Sequence, residues 1–256
     1  MLISTPRIVA VVNQKGGVGK TTTVMNLGAA LAERGAQVLV LDIDPQSNST
    51  SGLGLDPSRA RLTVYELLAG TATIDDVATP TAFPGLHLVP SQIGLAGAEI
   101  ELATTPQREH RLRHALAELS GGFGYVLIDC PPSLGLLTLN ALTAATEMLI
   151  PMQCEYFALE GLGHLMHTHQ LIRMDLNRDL RVGGILMTQF DPRTTLSWEV
   201  LSEVRRAYPE HVYQTLIPRN VRVGEAPSHG LPVIAYDPTC RGSEAYRQLA
   251  EEMLNQ

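Results

Sequence analysis

A glycine-rich heptad, Lys15-Gly16-Gly17-Val18-Gly19-Lys20-Thr21, follows directly on the apolar run Ile8 to Val12 and constrains the fold of this 256-residue chain more than any other stretch. An apolar run that stops at glycines reads as a buried strand running into a loop that a ligand approaches closely. Glycines let backbone N–H groups curl around phosphate oxygens without a Cβ clash. The helix that follows points its positive end at the anion. In the general pattern G-x-x-x-x-G-K-[ST], the lysine reaches the β/γ-phosphates and the hydroxyl ligates Mg²⁺, roles that fall to Lys20 and Thr21. The first glycine of that pattern belongs at position 14, where Gln14 stands, and an extra lysine, Lys15, sits at the loop entrance instead. Lys15 and Lys20 are the only two lysines of the chain; the other 17 cations are arginines. Gly16, Gly17, Val18, Gly19 and Thr22 complete the candidate nucleotide-binding set.

Strand-like apolar runs alternate with helix-like segments along the whole chain. Strands are expected over Arg7 to Asn13, Gln37 to Ile43, Leu86 to Val89, Tyr125 to Asp129, Glu147 to Pro151, Val182 to Thr188, Val212 to Ile217 and Pro232 to Ile234. Helices are expected over Lys20 to Arg34, with Gly35 as the cap, near 64–68 and 74–77, and over 95–103, 107–119, 135–145, 157–175, 195–207 and 242–254. The stretch Asp44 to Thr50 reads as a polar loop. Strands this apolar are buried on both faces, which suits an α/β fold: a mostly parallel twisted sheet with helices on both sides, of the P-loop type. No linker or internal repeat divides the chain, so residues 1–256 read as one domain. In open α/β sheets ligands bind at the carboxyl ends of the strands. The glycine loop, Asp42 with Asp44, and Asp129 all fall at such ends.

Those carboxylates carry the remaining chemistry. Asp129 closes the apolar run Tyr125-Val126-Leu127-Ile128, the pattern of a strand-end acid near Mg²⁺. Because Mg²⁺ keeps several of its waters, Asp129 is expected to reach it through water. Asp44, rigidified by Pro45, is the candidate for holding the attacking water, since phosphoryl transfer needs an oriented nucleophile and charge neutralisation more than covalent help. It is also a second candidate for the metal; Asp42, alternating with it along the strand, is a minor candidate for the chemistry. Lys20 already serves its own chain's phosphates, so Lys15 is free to approach another subunit's nucleotide and neutralise developing charge there, as an arginine finger does.

Composition excludes several classes. The net charge of −7 argues against a surface generally coated with nucleic acid, so any DNA contact has to come from a local arginine patch. Cys130, Cys154 and Cys240 have no metal-ligand spacing and read as reduced thiols. No apolar run approaches the roughly 20 residues of a membrane span. The N-terminus leads straight into the first strand, leaving no room for a signal peptide.

Five longer motifs stand in order: K-G-G-V-G-K-T-T from Lys15, V-L-D-I-D-P-Q-x-N-x-T-S-G-L-G from Val40, I-D-C-P-P-S-L-G-L-L-T-L-N-A-L from Ile128, P-x-Q-C-E-Y-F-A-L-E-G-L from Pro151 and I-P-R-N-V-R-x-x-E-A-P-S-H-G from Ile217. With them the chain closely resembles the ParA/Soj family of chromosome- and plasmid-partitioning ATPases, from Ile8 to the last helix. The resemblance implies an ATPase with a deviant phosphate loop that forms an ATP-sandwich homodimer with Mg²⁺. The lysine at the position of Lys15 then contacts the partner's phosphates, and the aspartate at that of Asp44 supports hydrolysis. It further implies nonspecific binding of double-stranded DNA by the ATP-bound dimer. A ParB-type centromere-binding partner then stimulates hydrolysis and release, in a bacterial cytoplasmic, nucleoid-associated setting. Pro218 and Asn220 match the segment that packs around adenine, and Arg193 and Arg222 match positions associated with DNA. Ser47 and Val223-Gly224 depart from the commonest family versions, outside the phosphate chemistry. Larger members carry an N-terminal helix-turn-helix domain, which is not expected here because the chain opens on its first strand.

Linear charge does not support the DNA reading by itself: residues 165–225 hold eight arginines against seven acids. Arg173, Arg205 and Arg206 are the candidates to join Arg193 and Arg222 on one face. The alternative is a MinD-like membrane-cycling ATPase, which would need a basic amphipathic C-terminal helix, whereas the segment after Gly242 is net acidic. A second rival, an iron–sulfur reductase sharing the phosphate loop, would need paired cysteines bridging two subunits. His164 and His167 share a helical face but lack a carboxylate or cysteine at matching spacing, so a metal site there is not expected.

Overall fold

A computed structural model describes residues 6–119, 122–156 and 158–256. The chain runs through β1 (Arg7–Val11), α1 (Lys20–Glu33), β2 (Val38–Asp42), α2 (Asn48–Gly52), α3 (Val64–Ala69), α4 (Ile74–Val77), β3 (Thr79–Pro80) and β4 (Leu86–Val89). It continues through α5 (Leu95–Leu102), α6 (Arg111–Ala117), β5 (Tyr125–Asp129), α7 (Leu136–Ala144), β6 (Glu147–Gln153), α8 (Ala158–Asp175) and β7 (Arg181–Thr188). It closes with α9 (Thr195–Ala207), α10 (Val221–Glu225), α11 (Val233–Tyr236) and α12 (Arg241–Leu254). Phe157, the expected first residue of the α8 segment, lies outside the described residues.

The strands form one sheet in the order β3-β4-β2-β5-β1-β6-β7. All neighbours are parallel except β3 against β4. The core splits in two because both sheet faces are apolar and each needs its own cover. Val24, Leu27 and Leu31 of α1 pack with Tyr246, Leu249 and Met253 of α12 over one face. The other face carries α3, α5, α6, α7, α8 and α9 through residues such as Leu67, Leu112, Leu142, Ile172 and Val204. Register brings the functional strand ends level: Val11 pairs with Asp129, and Asp129 with Asp42.

Most expected elements are present; two expected strands are not. Residues 212–217 run beside β7 without joining the sheet: isolated bridges pair Ile185 with Val212 and Phe190 with Pro218, and the Ile217 N–H donates to the Met187 carbonyl at 2.9 Å. The Glu252 carboxylate of α12 captures the N–H groups of Gln214 and Thr215 at 2.7 and 3.0 Å, which withdraws them from a ladder. The segment expected as a strand over 232–234 instead opens α11. There the Val233 N–H donates to the buried Asn26 side chain at 2.6 Å, while the Pro232 carbonyl accepts from Ala235 and Tyr236. The polar loop after Asp44 is also shorter than expected, because Asn48–Gly52 winds into a turn of helix. The helix expected over 107–119 is regular only over Arg111–Ala117. Gly35 is the αL cap as expected, at φ 90°.

Opposite the strand carboxyl ends, Arg7 anchors the base of the sheet. Its guanidinium pairs with buried Glu147 and donates to the Met253 carbonyl at 2.6 Å, joining β1, β6 and α12. Beside it, Gly184 lies under the Tyr213 ring, and a Cβ at that position would fall 2.2 Å from a ring carbon. We expect Gly184→Ala to lower the unfolding free energy by about 2 kcal/mol, the usual cost of overpacking a rigid core. A urea titration of the purified variant checks it.

Candidate nucleotide site

The loop between β1 and α1 turns on two glycines in the left-handed region, Gly17 at φ 76° and Gly19 at φ 89°. Its carbonyls are taken up from behind by the ends of β6 and β7. Gln153 and Gln189 both donate side-chain N–H groups to the Gly17 carbonyl, at 2.6 and 3.0 Å. The Thr188 hydroxyl donates to the Val18 carbonyl at 2.7 Å. The first N–H groups of α1 have no partner inside their own helix and are left for an anion. The Lys20 ammonium is buried beneath this loop and donates to the Lys15 carbonyl at 3.1 Å. Burial pulls its pKa down, and the charges of Asp129 and Asp44 pull it back up.

Beside the loop, Asp129 and Asp42 stand on adjacent strands, both fully buried. Burial raises the pKa of each; for Asp42 the neighbouring Asp129 adds to the rise. On Asp129, the Ser49 and Thr21 hydroxyls and Lys20 oppose it. One Asp129 oxygen accepts from Ser49 at 2.7 Å, and the other, Oδ1, is buried short of a well-formed hydrogen bond. An acceptor left in that condition beside a threonine hydroxyl suits a hydrated divalent cation. Asp42 is spent structurally, accepting from the backbone N–H groups of Asp44 and Thr50 and from the Thr50 hydroxyl. Asp44 reaches the cleft while its Oδ1 accepts from the Gln46 N–H at 2.9 Å.

The cleft over the loop holds about 620 Å³, lined by Gly16, Gly17, Gly19, Lys20, Thr21 and Asp44 among others. It meets a second hollow of about 260 Å³ lined by Pro218 and Asn220, with Gly19, Thr22 and Gln189 on both walls. The two together have the shape of a trough with a smaller side room, which fits phosphates and a base. A wider depression of about 840 Å³ between Gly54–Leu62 and Pro90 contains none of the loop residues.

Other expected residues lie outside the cleft. The Lys15 ammonium, about half exposed, is ion-paired with Glu155 beyond the end of β6. Arg193 is held by Asp191 through two bonds of 2.9 and 2.6 Å, and Arg222 by Glu225 and Asp237 at 2.9 and 3.4 Å. His169 is buried with Nε2 against the Leu180 carbonyl, and His164 and His167 are exposed. Among the described residues no cluster of three histidines, cysteines or acids could hold a metal ion. Cys130 is fully buried, and burial pushes its thiol up, so it is not placed to share a cluster with another subunit. The apolar side of α12 packs on α1. No described helix is long and apolar enough to cross a membrane. Sequence reading missed Gln153, Thr188, Gln189 and Ser49. The first three lie at strand carboxyl ends, where a polar residue after an apolar run was the available signal.

Comparison with known proteins gives the family. A family model described as an AAA domain matches residues 6–182. Sporulation initiation inhibitor protein Soj of Bacillus subtilis is 52% identical over 247 residues, covering 96% of this chain and 98% of that protein. Chromosome partitioning protein ParA of Caulobacter vibrioides is 50% identical, covering 97% of this chain and 94% of its own. Among solved structures, one described as cobyrinic acid a,c-diamide synthase from Mycobacterium smegmatis with bound ATP analog and magnesium superimposes with a TM-score of 0.86 at 42% identity, covering 98% of this chain and 95% of that one. Identity at this level across nearly the full length, on a fold that brings the deviant phosphate loop and its carboxylates to one sheet edge, places the chain in the ParA/Soj family of chromosome-partitioning ATPases.

Proposed function

We propose that this ATPase is a timed DNA-segregation switch. Mg²⁺-ATP closes two copies face to face, the dimer binds double-stranded DNA without sequence preference, and hydrolysis stimulated by a ParB-type partner releases it. The observation that carries the reading is the division between the two lysines. Lys20 is buried and lines its own cleft, whereas Lys15 is not among the residues lining that cleft and its ammonium is held by an exposed pair with Glu155. Exposed pairs contribute little, about 0–1 kcal/mol, so this one yields readily to a partner's phosphates.

Within one chain, the loop N–H groups and Lys20 hold the β- and γ-phosphates, and Pro218 and Asn220 flank the base. Thr21 and, through water, Asp129 hold Mg²⁺, with Asp44 within the same cleft. The ion, when bound, neutralises charge on the β/γ-oxygens. Asp44 orients the attacking water, and its short link through Ile43 to the end of β2, with Pro45 stiffening the chain after it, keeps that carboxylate in place. Arg193 and Arg222 contact DNA phosphates by exchanging Asp191 and Glu225 for them, so each charge needed for DNA is neutralised until DNA arrives. A protein of this kind works in the bacterial cytoplasm, at the nucleoid. Residues 1–256 act as one ATPase unit.

The test is sedimentation and nonspecific DNA binding measured with ATP, ADP and no nucleotide. A DNA-binding dimer with ATP alone supports the reading, and DNA binding indifferent to nucleotide opposes it. Lys20→Ala should remove nucleotide binding; micromolar ATP affinity in that variant would displace the cradle. Asp44→Ala should bind ATP, cleave slowly and accumulate as the dimer, and wild-type turnover would move the water-holding role elsewhere. Arg193→Glu with Arg222→Glu should abolish the ATP-dependent gel shift with dimerisation intact. In the native protein that shift should weaken steeply with salt, as contacts to several phosphates require.

A further inference from the structure

The backbone of Asp44 is held on both sides by groups that never reach the nucleotide. Its N–H donates to Asp42 Oδ1 at 3.2 Å, and its carbonyl accepts from the Ser91 hydroxyl at 2.8 Å. Ser91 in turn donates its own N–H to the Thr50 hydroxyl oxygen at 2.9 Å, and that hydroxyl donates to Asp42 Oδ2 at 2.7 Å. The circuit is closed: Asp42, Thr50, Ser91, Asp44 and back to Asp42. Asp42, Thr50 and Ser91 are fully buried and Asp44 is 7% exposed. With Oδ1 of Asp44 tied to the Gln46 N–H, its Oδ2 has no hydrogen bond among the described residues and is the oxygen left for the cleft.

We propose that Thr50 and Ser91 are positioning residues for ATP hydrolysis, acting through Asp44. The proposal rests on Asp44 being the carboxylate that holds the water. Ser91 lies two residues past the end of β4, whose Val89 pairs with Leu41 of β2. Its hydroxyl and N–H therefore reach both ends of the loop between β2 and the turn at Thr50. Buried circuits in which every member is satisfied rigidify what they hold, and water attack on a phosphate depends on that placement. Neither Ser91 nor Thr50 lines the nucleotide cleft. Their loss therefore acts on the cleavage step and not on ATP affinity.

Single-turnover cleavage and equilibrium ATP binding on the full chain separate the outcomes. Ser91→Ala and Thr50→Val should each slow cleavage about tenfold with ATP affinity within about threefold of native, since a small displacement of a positioning group is felt in the chemical step. Thr50→Ser keeps the hydroxyl and should restore the rate. Ser91→Ala added to Asp44→Ala should slow cleavage no further. Native cleavage in Ser91→Ala and Thr50→Val, beside slow Asp44→Ala, overturns the proposal and leaves the role of Asp44 standing. Native cleavage in Asp44→Ala overturns both. A further loss in the double variant, or failure of Thr50→Ser to rescue, also overturns the proposal, because a packing defect does not depend on Asp44. If Ser91→Ala does not fold, the Thr50→Val and Thr50→Ser pair decides.

Discussion

The hold that Gln153, Thr188 and Gln189 keep on the carbonyls of Gly17 and Val18 is the contact on which the site depends. A loop rich in glycine loses more conformational freedom on ordering than any other, and without tethers it would meet a nucleotide as an ensemble. Side chains from two strand ends remove that freedom before ligand arrives. Gln189 accepts a left-handed backbone at φ 50° to do so, a strain that persists only where surrounding contacts over-determine it. Because Gln189 also lines the base hollow, the phosphate loop and the base hollow share a wall.

The parallel sheet supplies the rest by register. Val11, Asp42 and Asp129 end level, so one edge carries the loop, the proposed metal carboxylate and the strand that leads to Asp44. Two buried acids side by side are costly, and their raised pKa values record that cost. Asp42 is offset by Thr50 and the Asp44 N–H. Asp129 accepts from Ser49 through one oxygen, but its Oδ1 is buried short of a well-formed hydrogen bond, and that acceptor suits it to the proposed cation.

The sheet, its flanking helices and the phosphate loop were legible because apolar runs ending in glycine or aspartate have few other readings. The missed strands show where that logic stops. Residues 212–217 are apolar and extended, but Glu252, 38 positions on, takes their N–H groups. Residues 232–234 looked like a strand until Asn26, some 200 positions earlier, capped them into a turn of helix. Long-range side-chain capture has no local signature. Gln153 and Gln189 stand visibly at strand carboxyl ends, but their partner, the distant carbonyl of Gly17, has no local signature. The proposed DNA contacts have no signature in linear charge either, since Arg193 and Arg222 each pair with acids of their own chain.

Lys20 and Lys15 lie five residues apart, and the account gives them different phosphates. ATP affinity and sedimentation of Lys15→Ala, measured together, test that claim most directly. The account predicts that ATP binds the single chain with near-native affinity and that the ATP-dependent dimer is lost. Loss of ATP binding to the single chain, or a dimer of native strength, would contradict it.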